Sequence, residues 1–102
     1  MKKVINGKIY DTRTATFIHE YWNGLSTRDF NYCREQLYRK KTGEFFVYGD
    51  GGALTRWGTK YGNGYCDGAD ILPRTNEQAL KWAENHEMEA DEIIELFDIS
   101  EE

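Results

Sequence analysis

An α+β fold, a small antiparallel sheet built from hairpins and packed with helices, is predicted by three observations. Asn6-Gly7 and Lys41-Thr42-Gly43 are turn signals set between apolar, β-prone runs. Thr75 through Gln78 forms a capping box that opens a C-terminal stretch with helical spacing. A chain of 102 residues with one proline and no internal repeat has room for one core, so residues 1–102 are expected to form a single domain.

Each element follows from its residues. Val4-Ile5 and Lys8-Ile9 flank Asn6-Gly7, the dipeptide best suited to positive φ at both centres of a type I′ turn, and predict an opening hairpin. Asp11 or Thr12 then caps an expected N-terminal helix to Trp22, with Ala15, Ile18 and Trp22 on one face and Asn23-Gly24 as its stop. Phe30–Lys40 and Glu44–Tyr48, rich in Phe, Tyr and Val, form a second hairpin expected at the sheet's centre. Neither face of its first strand is apolar: Tyr32, Arg34, Gln36 and Tyr38 alternate with Cys33, Glu35, Leu37 and Arg39. A last short strand spans Ala69–Leu72 and ends at Pro73. The capped helix runs to about His86 on a buried stripe of Ala79, Trp82 and Ala83. A final acidic helix at 89–98 turns Ala90, Ile93, Ile94 and Phe97 inward.

Seven of the ten glycines fall between Tyr48 and Asp70, interleaved with aromatic residues, and predict a glycine- and aromatic-rich loop at 49–68. Neither Gly49-Asp50-Gly51 nor Gly62-Asn63-Gly64 is completed by the third glycine of a dinucleotide fingerprint, and no Walker-type lysine follows. The loop therefore suits contacts by aromatic rings, with Trp57, Tyr61 and Tyr65 as anchors for a protein partner. An alternative is a nucleotide or nucleic-acid binder in which Trp57, Tyr61 and Tyr48 stack on bases while Arg56 and Lys60 neutralise phosphate.

Charge is segregated along the chain. Residues 1–60 hold eleven Lys or Arg against six Asp or Glu, whereas residues 61–102 hold two against twelve. From Trp82 onward there are nine acids and no Lys or Arg. On a helix these carboxylates form either a solvated face or a docking surface for a basic partner. Glu84, Asp91, Glu92, Glu95 and Asp98 are the candidate contacts.

The remaining chemistry is sparse. His19, Cys33, Cys66 and His86 have neither metal-ligand spacing nor a sequence-adjacent nucleophile and base, so no metal, no cofactor and no catalytic residue is expected. No secretory signal is legible and no apolar run approaches the roughly 20 residues that span a bilayer. Reduced cysteines, a cytoplasmic setting and no membrane partner are the expectation.

The segments INGKIYDTRTA, LYRKKTGEFFVYGDGGALT and ILPRTNEQALKWAE together resemble small proteins of phages and conjugative elements of Gram-positive bacteria. The resemblance spans most of residues 4–97 and carries no residue roles. It implies a context in which short acidic proteins disable host defences, as anti-CRISPR and antirestriction inhibitors do. Joined to the charge pattern, it makes the expected function a non-enzymatic inhibitor that docks on a basic, nucleic-acid-binding host protein, such as a nuclease or CRISPR effector. Direct nucleic-acid binding is the lesser expectation.

Overall fold

Asn6 at φ 52° and Gly7 at φ 77° supply the two positive values that a type I′ turn demands, and they close hairpin β1 (Lys2–Ile5) and β2 (Lys8–Asp11). The structure is a computed structural model and describes residues 1–100; Glu101 and Glu102 of the acidic run lie outside the described residues.

The expected N-terminal helix does not form. Asp11 caps a turn instead: its carboxylate accepts from the Arg13 amide at 2.9 Å, and its carbonyl accepts from the Ala15 amide at 3.1 Å. Strand β3 (Thr16–Trp22) follows, and five of its seven residues, Thr16, Phe17, Ile18, Tyr21 and Trp22, are β-branched or aromatic. Such side chains lose rotamer freedom in a helix and pack well on a pleated surface, so an available strand partner decides between the two. That partner is β4 (Cys33–Arg39), which pairs antiparallel with β3 across a bulge between Phe17 and His19.

Strand β4 begins three residues later than the expected Phe30, because Asp29 holds a turn by accepting from the amides of Asn31 (2.8 Å) and Tyr32 (3.1 Å). Its partner β5 (Phe45–Gly51) runs beyond Tyr48 to Gly51 because β8 (Gly68–Arg74) pairs it along its whole length. The sheet order is β3-β4-β5-β8, with the second hairpin at the centre. Pro73 does not end β8 but pairs with Phe46 inside it, as an edge strand permits. Residues 49–68 are likewise not one loop: β6 (Thr59–Tyr61) and β7 (Gly64–Cys66) make a two-stranded ribbon turning at Gly62, φ 59°.

Helix α1 (Asn76–Asn85) starts with the predicted capping box: Thr75 Oγ1 accepts from the Gln78 amide at 3.1 Å and Gln78 Oε1 from the Thr75 amide at 2.9 Å. Helix α2 (Ala90–Phe97) packs through Ile93, Leu96 and Phe97, whereas Ala90 and Ile94, expected inside, are exposed. The sheet thus separates two cores. Leu37, Phe45, Val47 and Trp57 meet Ala79, Trp82, Ala83 and Met88 on the helix side, while Tyr38, Phe46 and Ile71 meet Tyr10 on the β1-β2 side. Phe46, Leu37, Ile71 and Val47 are fully buried, each contributing about 1.5–3 kcal/mol of apolar transfer.

Candidate docking surface

The glycine-rich stretch is built for close approach rather than for unusual backbone angles, since only Gly62 within it has positive φ. A methyl group on Gly49 would overlap the Trp57 indole, which lies flat against the strand there. The backbone passes so near its neighbours at Gly51 and Gly52 that a Cβ would press on the carbonyls of Tyr32 and Phe30. Trp57 is therefore core, 5% exposed, and not the solvent-presented anchor its setting suggests. Its Nε1 donates to Glu35 Oε2 at 3.0 Å, and the Arg56 guanidinium lies 5.2 Å from its ring centroid.

The five residues of the alternative ligand site do not converge. Trp57 belongs to the helix-side core, whereas Tyr48 packs with the opposite core and donates to Asp50 Oδ2 at 2.9 Å. Lys60 pairs across the β6-β7 ribbon with Tyr65, and Tyr61 with Gly64, so Tyr61 and Tyr65 project from opposite faces of the ribbon. Both rings are open to solvent, at 77% and 65%. The ribbon joins the sheet at the Gly51–Gly68 end, while Phe97 of α2 stacks on Phe45 at the other end of β5, centroids 5.2 Å apart. Seven residues of strand, about 20 Å, separate the exposed tyrosines from the last turn of α2.

Several acids of the sheet region are paired, whereas those from Glu84 to Asp98 are not. In the sheet region Arg34 binds Asp50 at 2.6 Å, Lys8 binds Glu44 at 2.9 Å and Lys3 binds Asp70. Glu84, Glu87, Glu89, Asp91, Glu92, Glu95 and Asp98 are all exposed, and among the described residues none of them takes part in an ion pair. Asp91 and Glu95 stand one turn apart on α2, their Cα atoms about 6 Å apart in axial rise, and Asp98 follows as the C-cap in the left-handed conformation. Asp91 and Glu92 lie in the first turn, where the positive pole favours acids, but the later acids work against the helix. Like charges at i+4 repel, and Glu95 and Asp98 sit at the negative pole of the helix, where each costs about 0.3–1 kcal/mol in place of the favoured cation.

One buried acid escaped the sequence reading. Glu35 is 6% exposed; its Oε1 accepts from Trp82 Nε1 at 2.8 Å and its Oε2 from Trp57 Nε1 at 3.0 Å. The alternation that places Cys33, Glu35 and Leu37 on one face was legible, but the indole donors arrive from 22 and 47 residues away. His86 Nε2 stands 3.7 Å from Glu35 Oε1, its ring stacked on Tyr21 at 4.2 Å, while His19 Nε2 lies 3.2 Å from the His86 carbonyl. Burial pushes the Cys33 thiol up, with the Glu35 carboxylate adding to the shift, so the thiol stays protonated at neutral pH rather than serving as a thiolate nucleophile.

Burial also pushes the His86 imidazolium below the usual histidine range, the nearby Glu35 opposing this and His19 reinforcing it. The unfolded chain then binds more protons than the folded one as pH drops below about 6.5, so stability present above that pH is lost on acidification. The midpoint of thermal unfolding should fall between about pH 7 and pH 5, and a His86→Phe variant, which keeps an aromatic ring against Tyr21, should show a shallower fall. Parallel curves would remove His86 as the titrating group.

Among the described residues no group of three His, Cys, Asp or Glu side chains is placed to hold a metal ion, and no helix is long and apolar enough to cross a membrane. No protein-family model, curated protein or solved structure matches the chain.

Proposed function

We propose that the protein is a binding protein that places the acidic face of α1 and α2 in a cationic, phosphate-binding cleft of another protein. The observation that carries this reading is the run of seven exposed carboxylates from Glu84 to Asp98, none of them in an ion pair among the described residues, whereas Glu44, Asp50 and Asp70 of the sheet region each hold a Lys or Arg. A cleft lined with Lys and Arg responds to charge and spacing, and a helical row of carboxylates offers both without a sugar or base. In the mobile-element context implied by the resemblance, the partner is a nucleic-acid-binding defence protein of the host, and the effect is inhibition.

Electrostatic complementarity acts mainly on the rate of encounter. Replacing Asp91, Glu95 and Asp98 together by lysine is expected to slow association with the partner by about 10- to 100-fold at low salt and to flatten its salt dependence. The partner is first captured from host lysate at low salt and released at high salt; association is then followed by stopped flow or surface binding. Unchanged association would exclude the acidic face. The tyrosines of the β6-β7 ribbon form a separate surface, and Tyr61→Ala with Tyr65→Ala tests them independently of the acids.

A further inference from the structure

The four-stranded sheet has two edges, and they are treated differently. Edge strand β8 contains Pro73, which has no N–H to offer a newcomer, and is tied to β1 by the Lys3–Asp70 ion pair. Edge strand β3 contains no Pro, Lys or Arg in its seven residues, and among the described residues no strand pairs with the side turned away from β4. The bulge at Ile18 interrupts its first half, but His19–Trp22 pairs with β4 without a break, and among the described residues its other edge is paired with no strand.

Beside this edge, β3 and α2 enclose a groove of about 390 Å³ lined by Phe17, Ile18, Arg39, Met88, Leu96, Glu92 and Glu95. Its lining is mixed: Phe17, Ile18, Met88 and Leu96 are apolar, Glu92 and Glu95 carry two carboxylates without ion pairs, and one cation, Arg39, has its guanidinium over the Phe45 ring at 5.3 Å. Phe17 and Trp22, toward the two ends of the strand, are 52% and 56% exposed.

From this juxtaposition we infer that β3 takes an extended, basic segment of the partner as a fifth strand. One apolar side chain of the segment enters the groove over Ile18, Met88 and Leu96, and neighbouring lysines or arginines meet Glu92 and Glu95. Main-chain pairing gives such a contact its affinity, and the side chains alternating to one face give it selectivity. A second copy of this chain is the wrong occupant. Antiparallel pairing of β3 with itself about a two-fold axis puts both helical layers on the same side of the joined sheet, so the acidic α2 helices would face each other. The inference rests on the proposed basic partner and adds how that partner is held.

The test uses the intact protein with a probe peptide of about ten alternating lysines and valines, and a second peptide of the same sequence N-methylated at alternate residues so that one edge cannot donate. Binding is followed by amide hydrogen exchange resolved by residue. The unmodified peptide should slow exchange at the β3 amides by at least about tenfold, and N-methylation should weaken binding by at least about tenfold. The exposed pair Glu92→Lys and Glu95→Lys should weaken it to a similar degree without unfolding the protein. Absence of binding at millimolar peptide, or protection confined to other elements, would overturn strand addition. Equal binding of the two peptides, still lost on charge reversal, would overturn it while leaving the acidic docking face intact. Binding indifferent to both changes would remove both.

Discussion

Gly49→Ala is expected to destabilise the fold by about 3–4 kcal/mol, more than a single added methyl group costs at most buried sites. The new Cβ would occupy space held by the six-membered ring of Trp57, and that ring has nowhere to retreat, being packed in the helix-side core and held at Nε1 by Glu35. Overpacking contributes about 1–3 kcal/mol, and the loss of an indole hydrogen bond to a buried carboxylate contributes a similar amount. Chemical denaturation monitored by tryptophan fluorescence measures both the loss and the displacement of the ring. Stability within about 0.5 kcal/mol of the parent would show that the indole does not need this space. Gly62→Ala, where nothing crowds the Cβ position, should cost only the strain of its positive φ.

The second large effect belongs to Glu35. Removing its carboxylate in Glu35→Ala leaves two buried indole N–H groups, of Trp57 and Trp82, without an acceptor, and opens a cavity between β4 and α1. A loss of about 3–5 kcal/mol is expected, the range for breaking a buried, hydrogen-bonded charge. Glu35→Gln is the more discriminating variant. Its amide oxygen can still accept from one indole, but its NH₂ then faces the other, donor against donor, for about 1–3 kcal/mol. A glutamine variant as stable as the parent would mean that one of the two indole bonds contributes nothing. These losses contrast with charge reversal at the exposed, unpaired Glu92 and Glu95: replacing a first-turn acid at Glu92 should cost, and removing an acid from the negative pole at Glu95 should gain, no more than about 1 kcal/mol each. The fold and the proposed docking are therefore separable by mutation.

The acidic face was legible residue by residue because nothing distant alters it: a helix with Ile93 and Phe97 inward turns Asp91, Glu95 and Asp98 outward whatever lies beneath. Trp57 was not. Its neighbours Arg56, Gly58 and Lys60 belong to a surface loop by composition, and only the missing side chain at Gly49, eight positions earlier, makes a slot for its ring. The same holds for Glu35. A charged residue at an inward strand position is ambiguous until its donors are known, and both come from elements that follow it by more than twenty residues.

What the amino acids determined alone are the features settled within a turn or two of chain: the Asn6-Gly7 turn, the Thr75 capping box, the outward acids of α2 and the uneven distribution of charge. Residues 16–22 show where that reach ends. Ala15, Ile18 and Trp22 fit a helical stripe as well as a strand, and the choice falls to β4, whose backbone groups reward an extended conformation that the segment could not maintain by itself. Tertiary structure likewise decided that the glycines serve close packing and that Glu35 lies between two indoles, because burial and hydrogen bonding depend on groups brought together from distant parts of the chain.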